Sequence, residues 1–160
     1  MKIEKAFDGV NRVFLDTAPV IYYVEQNPHY LVIANGIFCD LIENGTLLAT
    51  ASPVTLAECL VVPIRDQLTK LQQDFIDFFT DNSNVSFKKI DLKTGKEAAK
   101  FRSKYNLRLP DALQLAVALQ DNCDAFLTND TVFKRVNELR IMVLDELIAD
   151  ESATSLRLES

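Results

Sequence analysis

Two hydrophobic spacings alternate along this chain. Short apolar or β-branched runs fall at residues 12–15, 46–49, 85–87, 125–128 and 140–144, the length of buried strands. Between them, apolar residues recur every three or four positions, as on the buried face of a helix. The spacing predicts helices over 19–25, 30–43, 66–79, 94–105 and 109–120. A further helix begins at Ser52-Pro53, a cap followed by proline at the first helical position, and runs to Val61, with Pro63 expected to close it. Asn27-Pro28, Asn44-Gly45 and 81–84 read as breaks. Strands alternating with helices predict βαβ units, hence an α/β fold with a mostly parallel central sheet flanked by helices on both faces.

With 160 residues, 48% of them hydrophobic, the chain suits one domain with a core that needs no disulfide or metal staple. The apolar run at 111–119 is broken by Gln114, well short of the roughly 20 residues that cross a bilayer. The first nine residues mix charges with apolar groups and carry no signal core, so a soluble protein of the cytoplasm, without a membrane, is expected. Cys39, Cys59 and Cys123 are odd in number and widely spaced, which suits reduced packing residues. The single histidine, His29, falls in a turn, and a histidine–cysteine zinc site is not expected.

Chemistry is expected where the runs end. Asp16 follows the first strand, Glu58 lies inside an apolar helix, Asp111 begins another, and Asp130 follows the fourth strand. Each alone is explained as a cap, a helix-dipole partner or a solvated charge. Gathered together they would repel, by roughly 4 kcal/mol per pair at about 4 Å and a dielectric near 20. Only protons or a cation would relieve that. Oxygen-only donors suit Mg²⁺ or Mn²⁺, which can polarise a phosphodiester and acidify a water for in-line attack. Thr17, Thr128 and Asn129 are placed to orient such ligands.

Four segments, Phe14-Leu15-Asp16-Thr17, Val54-Thr55-Leu56-Ala57-Glu58, Leu109-Pro110-Asp111-Ala112-Leu113-Gln114-Leu115-Ala116 and Leu127-Thr128-Asn129-Asp130, resemble in order and spacing the PIN-domain ribonucleases, above all the VapC-like toxins of bacterial toxin–antitoxin pairs. The resemblance implies a three-layer PIN-like fold and metal-dependent cleavage of RNA using Mg²⁺ or Mn²⁺. Asp16, Glu58, Asp111 and Asp130 would be the acidic site. It also implies a small antitoxin protein as partner and a homodimer.

Net charge, −6, departs from a simple RNA binder, but its distribution matters more. Residues 145–160 hold five acids and one base, whereas 85–110 hold eight bases and two acids. Within that basic stretch Lys96, Lys100, Lys104 and Arg108 are candidate RNA contacts. The expected organisation is a nuclease domain over 1–146 and an acidic tail over 147–160, either flexible or a loosely attached helix at 147–149. Alternatives are a housekeeping RNA-processing or DNA-directed nuclease of the same fold, and a catalytically inactive binding module. A phosphoaspartate enzyme of the haloacid dehalogenase type would want a second acid two residues after Asp16, where Ala18 stands.

Overall fold

A computed structural model describes residues 1–150 of the chain. Five strands, β1 (Arg12–Leu15), β2 (Leu48–Ala51), β3 (Val85–Phe87), β4 (Ala125–Thr128) and β5 (Arg140–Val143), form one sheet in the order β3-β2-β1-β4-β5, with every pairing parallel. Among the described residues seven α-helices accompany it: α1 (Ile3–Ala6), α2 (Thr17–Val24), α3 (Leu31–Ile37), α4 (Pro53–Arg65), α5 (Thr69–Thr80), α6 (Leu92–Tyr105) and α7 (Leu109–Gln120).

Strand alternation divides the core into two layers. Val13, Leu15, Ala49, Ala51, Ala125 and Leu127 point to one face, where α1 to α5 cover them. Phe14 and Phe126 point to the other, stacked with centroids 5.1 Å apart beneath α6 and α7. The apolar stripe of α6 is as thin as its sequence implies, with Ala98, Phe101 and Tyr105 buried against α7. Three layers result, and no helix of the described residues is long and apolar enough to cross a membrane. Cys59 and Cys123 are buried, Cys39 is half-buried, and all three are free thiols.

Several local expectations are corrected. Pro63 does not close α4, which continues to Arg65. The proline sits in the last turn, where it forgoes one i→i−4 bond, to the carbonyl of Cys59, and only two helical residues follow it. Its carbonyl accepts from Leu68 N at 2.8 Å and Gln72 Nε2 at 3.0 Å, which turns the chain into α5 and delays that helix to Thr69. The helix expected over 30–43 is α-helical only to Ile37, then widens into a π-helix over Phe38–Glu43. The unforeseen α1 explains Gly36, because a Cβ there would lie 2.8 Å from Ile3 Cδ1.

Residues 147–149 are not helical. Leu147 is buried, Ile148 N donates to Met1 O at 2.8 Å, and Ile3 N donates to Ile148 O at 3.1 Å. Burial of Leu147 and pairing with the amino terminus hold this stretch extended against the fold. The flexible tail expected beyond it, over 151–160, lies outside the described residues.

Candidate active site

The strand order reverses between β1 and β4, and the crevice at their carboxyl ends is where open α/β sheets gather ligands. Asp16 stands there because β1 ends and α2 begins at that residue. It caps α2, Oδ1 accepting from Thr17 N at 2.8 Å, while its own N–H completes the ladder to Leu127 O. Thr128, the last residue of β4, donates Oγ1–H to Asp16 Oδ2 at 2.6 Å.

Gln114 joins the first two acids. Fully buried on α7, it donates Nε2–H to Asp16 Oδ1 at 2.9 Å and to Glu58 Oε1 at 3.3 Å. Its Oε1 accepts from Thr55 Oγ1 at 3.1 Å, so both ends of the buried amide are engaged. Thr17 Oγ1 donates to the same Glu58 Oε1 at 2.9 Å. Two carboxylates therefore converge on one amide, and Thr17 serves both, its N–H bound to Asp16 and its hydroxyl to Glu58. Sequence reasoning passes over Gln114 as a site residue, although a lone amide in the run Ala112-Leu113-Gln114-Leu115-Ala116, one turn after Asp111, is the signal that marks it.

Asp111, 4% exposed on the first turn of α7, is held by a fork from Arg108, Nε to Oδ2 at 3.2 Å and Nη2 to Oδ1 at 3.4 Å. It lies near enough to act on Asp16, which is itself 8% exposed. Burial raises the Asp16 carboxyl above its usual range and the charge of Asp111 adds to this, opposed by the hydrogen bonds from Thr128, Thr17 and Gln114. Asp130 is the exposed member. It caps the 3₁₀ turn Thr131–Arg135 by accepting from Val132 N at 2.9 Å, and its backbone N–H donates to Thr128 Oγ1 at 3.0 Å. Thr128 thus links the fourth acid to the first.

Asn129 orients none of these carboxylates. Its amide donates to Tyr30 Oη at 3.1 Å and accepts from Asp145 N at 3.0 Å, so both ends are used in tying the β4 end to neighbouring loops. Of the basic residues expected to meet RNA, Lys100 pairs with Glu97 and Lys104 with Glu138, each at 2.8 Å, and Arg108 with Asp111; Lys96 is exposed on the same helix. His29 lies exposed in its turn. Burial pushes the Cys59 thiol up, and the charges of Glu58 and Asp16 add to it, so this neighbour is no thiolate nucleophile.

The donors offered here are all oxygen. Their chemistry fits a hard divalent cation, since Mg²⁺ takes one or two carboxylates and keeps its remaining waters for substrate oxygens. Asp16 and Glu58, brought onto one amide nitrogen, provide that minimum. Among the described residues no three acids, cysteines or histidines form a ready cage.

A family model described as PIN domain matches residues 13–139. None of the curated proteins matches the sequence. Among solved structures, VapBC2 from Rickettsia felis, bound to a DNA fragment from its promoter, superposes with a TM-score of 0.65 at 19% identity, covering 82% of this chain and 98% of that one. Mycobacterium tuberculosis VapC20, described as a toxin cleaving the sarcin–ricin loop, gives 0.64 at 14% identity, over 80% and 98%. The DNA-bound VapBC of Salmonella typhimurium gives 0.64 at 16% identity, over 84% and 98%. At these identities the likeness is one of fold.

Proposed function

The chain belongs to the PIN-domain family, and from that membership we propose that it is a metal-dependent endoribonuclease acting as the toxin of a toxin–antitoxin pair. The observation that carries this reading is the buried junction of Asp16, Gln114 and Glu58 at the strand-order reversal, with Asp111 close by. Negative charge collected there at the cost of burial is what a cation-dependent site requires.

Mg²⁺ or Mn²⁺ held by Asp16, Glu58 and Asp111 would supply Lewis acidity to a phosphodiester and an acidified water for in-line attack. The protein's part is orientation. Gln114, Thr17 and Thr128 fix the carboxylate oxygens, and rigid partners of this kind set a ligand's geometry and basicity. Asp130 stands at the rim, where it can bind a metal-associated water or the substrate's sugar edge. Lys96, Lys100 and Lys104 are spaced four apart on α6, on one side of that helix, and together with Arg108 would suit an RNA backbone.

The antitoxin reading draws on the two VapBC neighbours, on the toxin VapC20 and on an apolar patch. Val61, Val62, Ile64 and Leu68, at the end of α4 and the turn into α5, are 44–60% exposed, and a protein partner or a second copy would cover them. The aromatics Phe38, Phe75, Phe78 and Phe79 do not extend this patch, being buried in the core.

The test is cleavage of single-stranded RNA by protein purified free of any inhibitor. Internal cuts are expected with Mg²⁺ or Mn²⁺, none in EDTA, and none in single-stranded DNA. An inert preparation that also takes up no Mn²⁺ would leave only a binding module.

A further inference from the structure

The four acids are not equally provided for. Asp16 accepts from three donors and Glu58 from two, all neutral. Asp111 is the most buried of them, yet among the described residues the only side chain hydrogen-bonded to its carboxylate is Arg108. The two partners differ sharply in surroundings. The Asp111 side chain is 6% exposed and that of Arg108 is 72% exposed.

A pair built this way opens in one direction. The guanidinium can swing into water without crossing any apolar region, and an exposed ion-pair partner is held only weakly. The carboxylate cannot follow it. Left behind, it is a buried charge without a counter-charge, a state that is costly unless another cation arrives. The guanidinium also lies in the fields of Glu58 and Asp130, so it serves the whole acidic rim and not Asp111 alone. Local geometry makes this arrangement: Arg108 is the extended residue just before α7 and Asp111 is on its first turn, three positions on, where the two side chains meet on one face.

We propose that Arg108 is a resident counter-ion of the acidic site, neutralising Asp111 in the metal-free protein and vacating it when a divalent cation binds, so that it sets how tightly the site holds metal. The proposal rests on the metal-site reading above and adds to it a residue that competes with the metal. Removing the guanidinium therefore strengthens metal binding, opposite to the effect of removing a ligand.

The experiment is titration of the full chain with Mn²⁺, following free Mn²⁺ by electron paramagnetic resonance, for wild type, Arg108→Gln and Arg108→Lys. Arg108→Gln is expected to bind Mn²⁺ about three- to tenfold more tightly, the range that loss of one competing charge at a half-open site allows. Arg108→Lys, which keeps the charge and loses the fork, should fall between the two. Thermal melting supplies a second reading. In EDTA, Arg108→Gln should melt below wild type, and saturating Mn²⁺ should abolish that deficit, because ligand binding to the native state restores what the counter-ion provided. In an Asp111→Asn background, Arg108→Gln should change Mn²⁺ affinity little. Equal or weaker Mn²⁺ binding by folded Arg108→Gln, or a melting deficit that persists in Mn²⁺, overturns the proposal while leaving the metal site standing. Absence of Mn²⁺ binding in both wild type and Arg108→Gln overturns the metal reading and this proposal together.

Discussion

Helix α7 carries an aspartate close to each end, and the two are balanced in opposite ways. Asp121, just beyond the carboxyl end, sits in a closed electrostatic group. Arg12 Nη1 approaches it at 3.5 Å and Lys88 Nζ at 3.3 Å, while Thr50 donates to it at 2.5 Å. Arg12 is shared in turn with Thr50 and Ser86 on the sheet. One acid there meets two bases. At the amino end Asp111 meets one base on the solvent side and has Asp16 and Glu58 as neighbours, so acid exceeds base. Both groups lie against the same sheet and helix, which separates two uses of buried polarity. The Asp121 group satisfies itself and ties β1, β2 and β3 to α7. The Asp111 group remains in deficit of positive charge, and that deficit is what a cation and a phosphate-bearing substrate would meet.

The comparison predicts that substitutions at one end change chemistry and at the other change stability. On the proposed metal-site reading, Asp16→Asn should cut RNA cleavage by about 10³-fold or more, because a metal ligand and the transition-state stabilisation it supports would both be lost. Asparagine can still accept from Thr17 N, so circular dichroism should show the fold intact; retained cleavage would break the assignment. Gln114→Met keeps the volume and removes the amide shared by Asp16 and Glu58, and is expected to lower cleavage or metal affinity about 10- to 100-fold. A variant as active as wild type would mean that the acids are held by other groups.

At the other end, Asp121→Ala strips two bases of their partner. It should cost about 1–3 kcal/mol in denaturant unfolding while leaving cleavage per folded molecule unchanged. A selective loss of turnover there would erase the distinction between the two groups.

The smallest effect is in pH dependence. Burial raises the Asp16 carboxyl in the folded state above its unfolded value. The folded protein therefore holds the proton more tightly between those two values. The stability linked to this group is fully present below the ordinary carboxylate range and is lost as pH rises through the raised folded value. Without metal, Asp16→Asn should melt above wild type near pH 7, with the gap closing as pH falls below the carboxylate range. Calorimetry in EDTA across that range checks it, and a gap that widens in acid would contradict the sign.

Much of the site is legible in the chain itself. Asp16 and Asp111 can be placed because each marks a local switch between apolar run and helix start, and such switches depend on neighbours a few residues away. β3, β4 and α7 fall where their spacing puts them for the same reason. The Arg108–Asp111 pair is local as well, being three residues apart at a helix start. Asn129 shows the opposite case. Beside Thr128 and Asp130 it reads as part of the same set, but a strand end turns successive side chains to opposite sides, and it faces Tyr30 and Asp145. Pro63 fails as a helix stop because the turn after it is secured by Leu68 and Gln72, five and nine residues further on.

By itself the sequence determined the alternation of strands and helices, the family pattern of four ordered acids, and the positions where the backbone must stop and cap. Only the tertiary structure decided which of those acids share a donor. Gln114 reaches across 98 residues to Asp16 and 56 to Glu58, distances over which no periodicity in the chain carries information. The strand order, with β4 beside β1, brings those residues together, and buried amides then select the carboxylate oxygens they can reach.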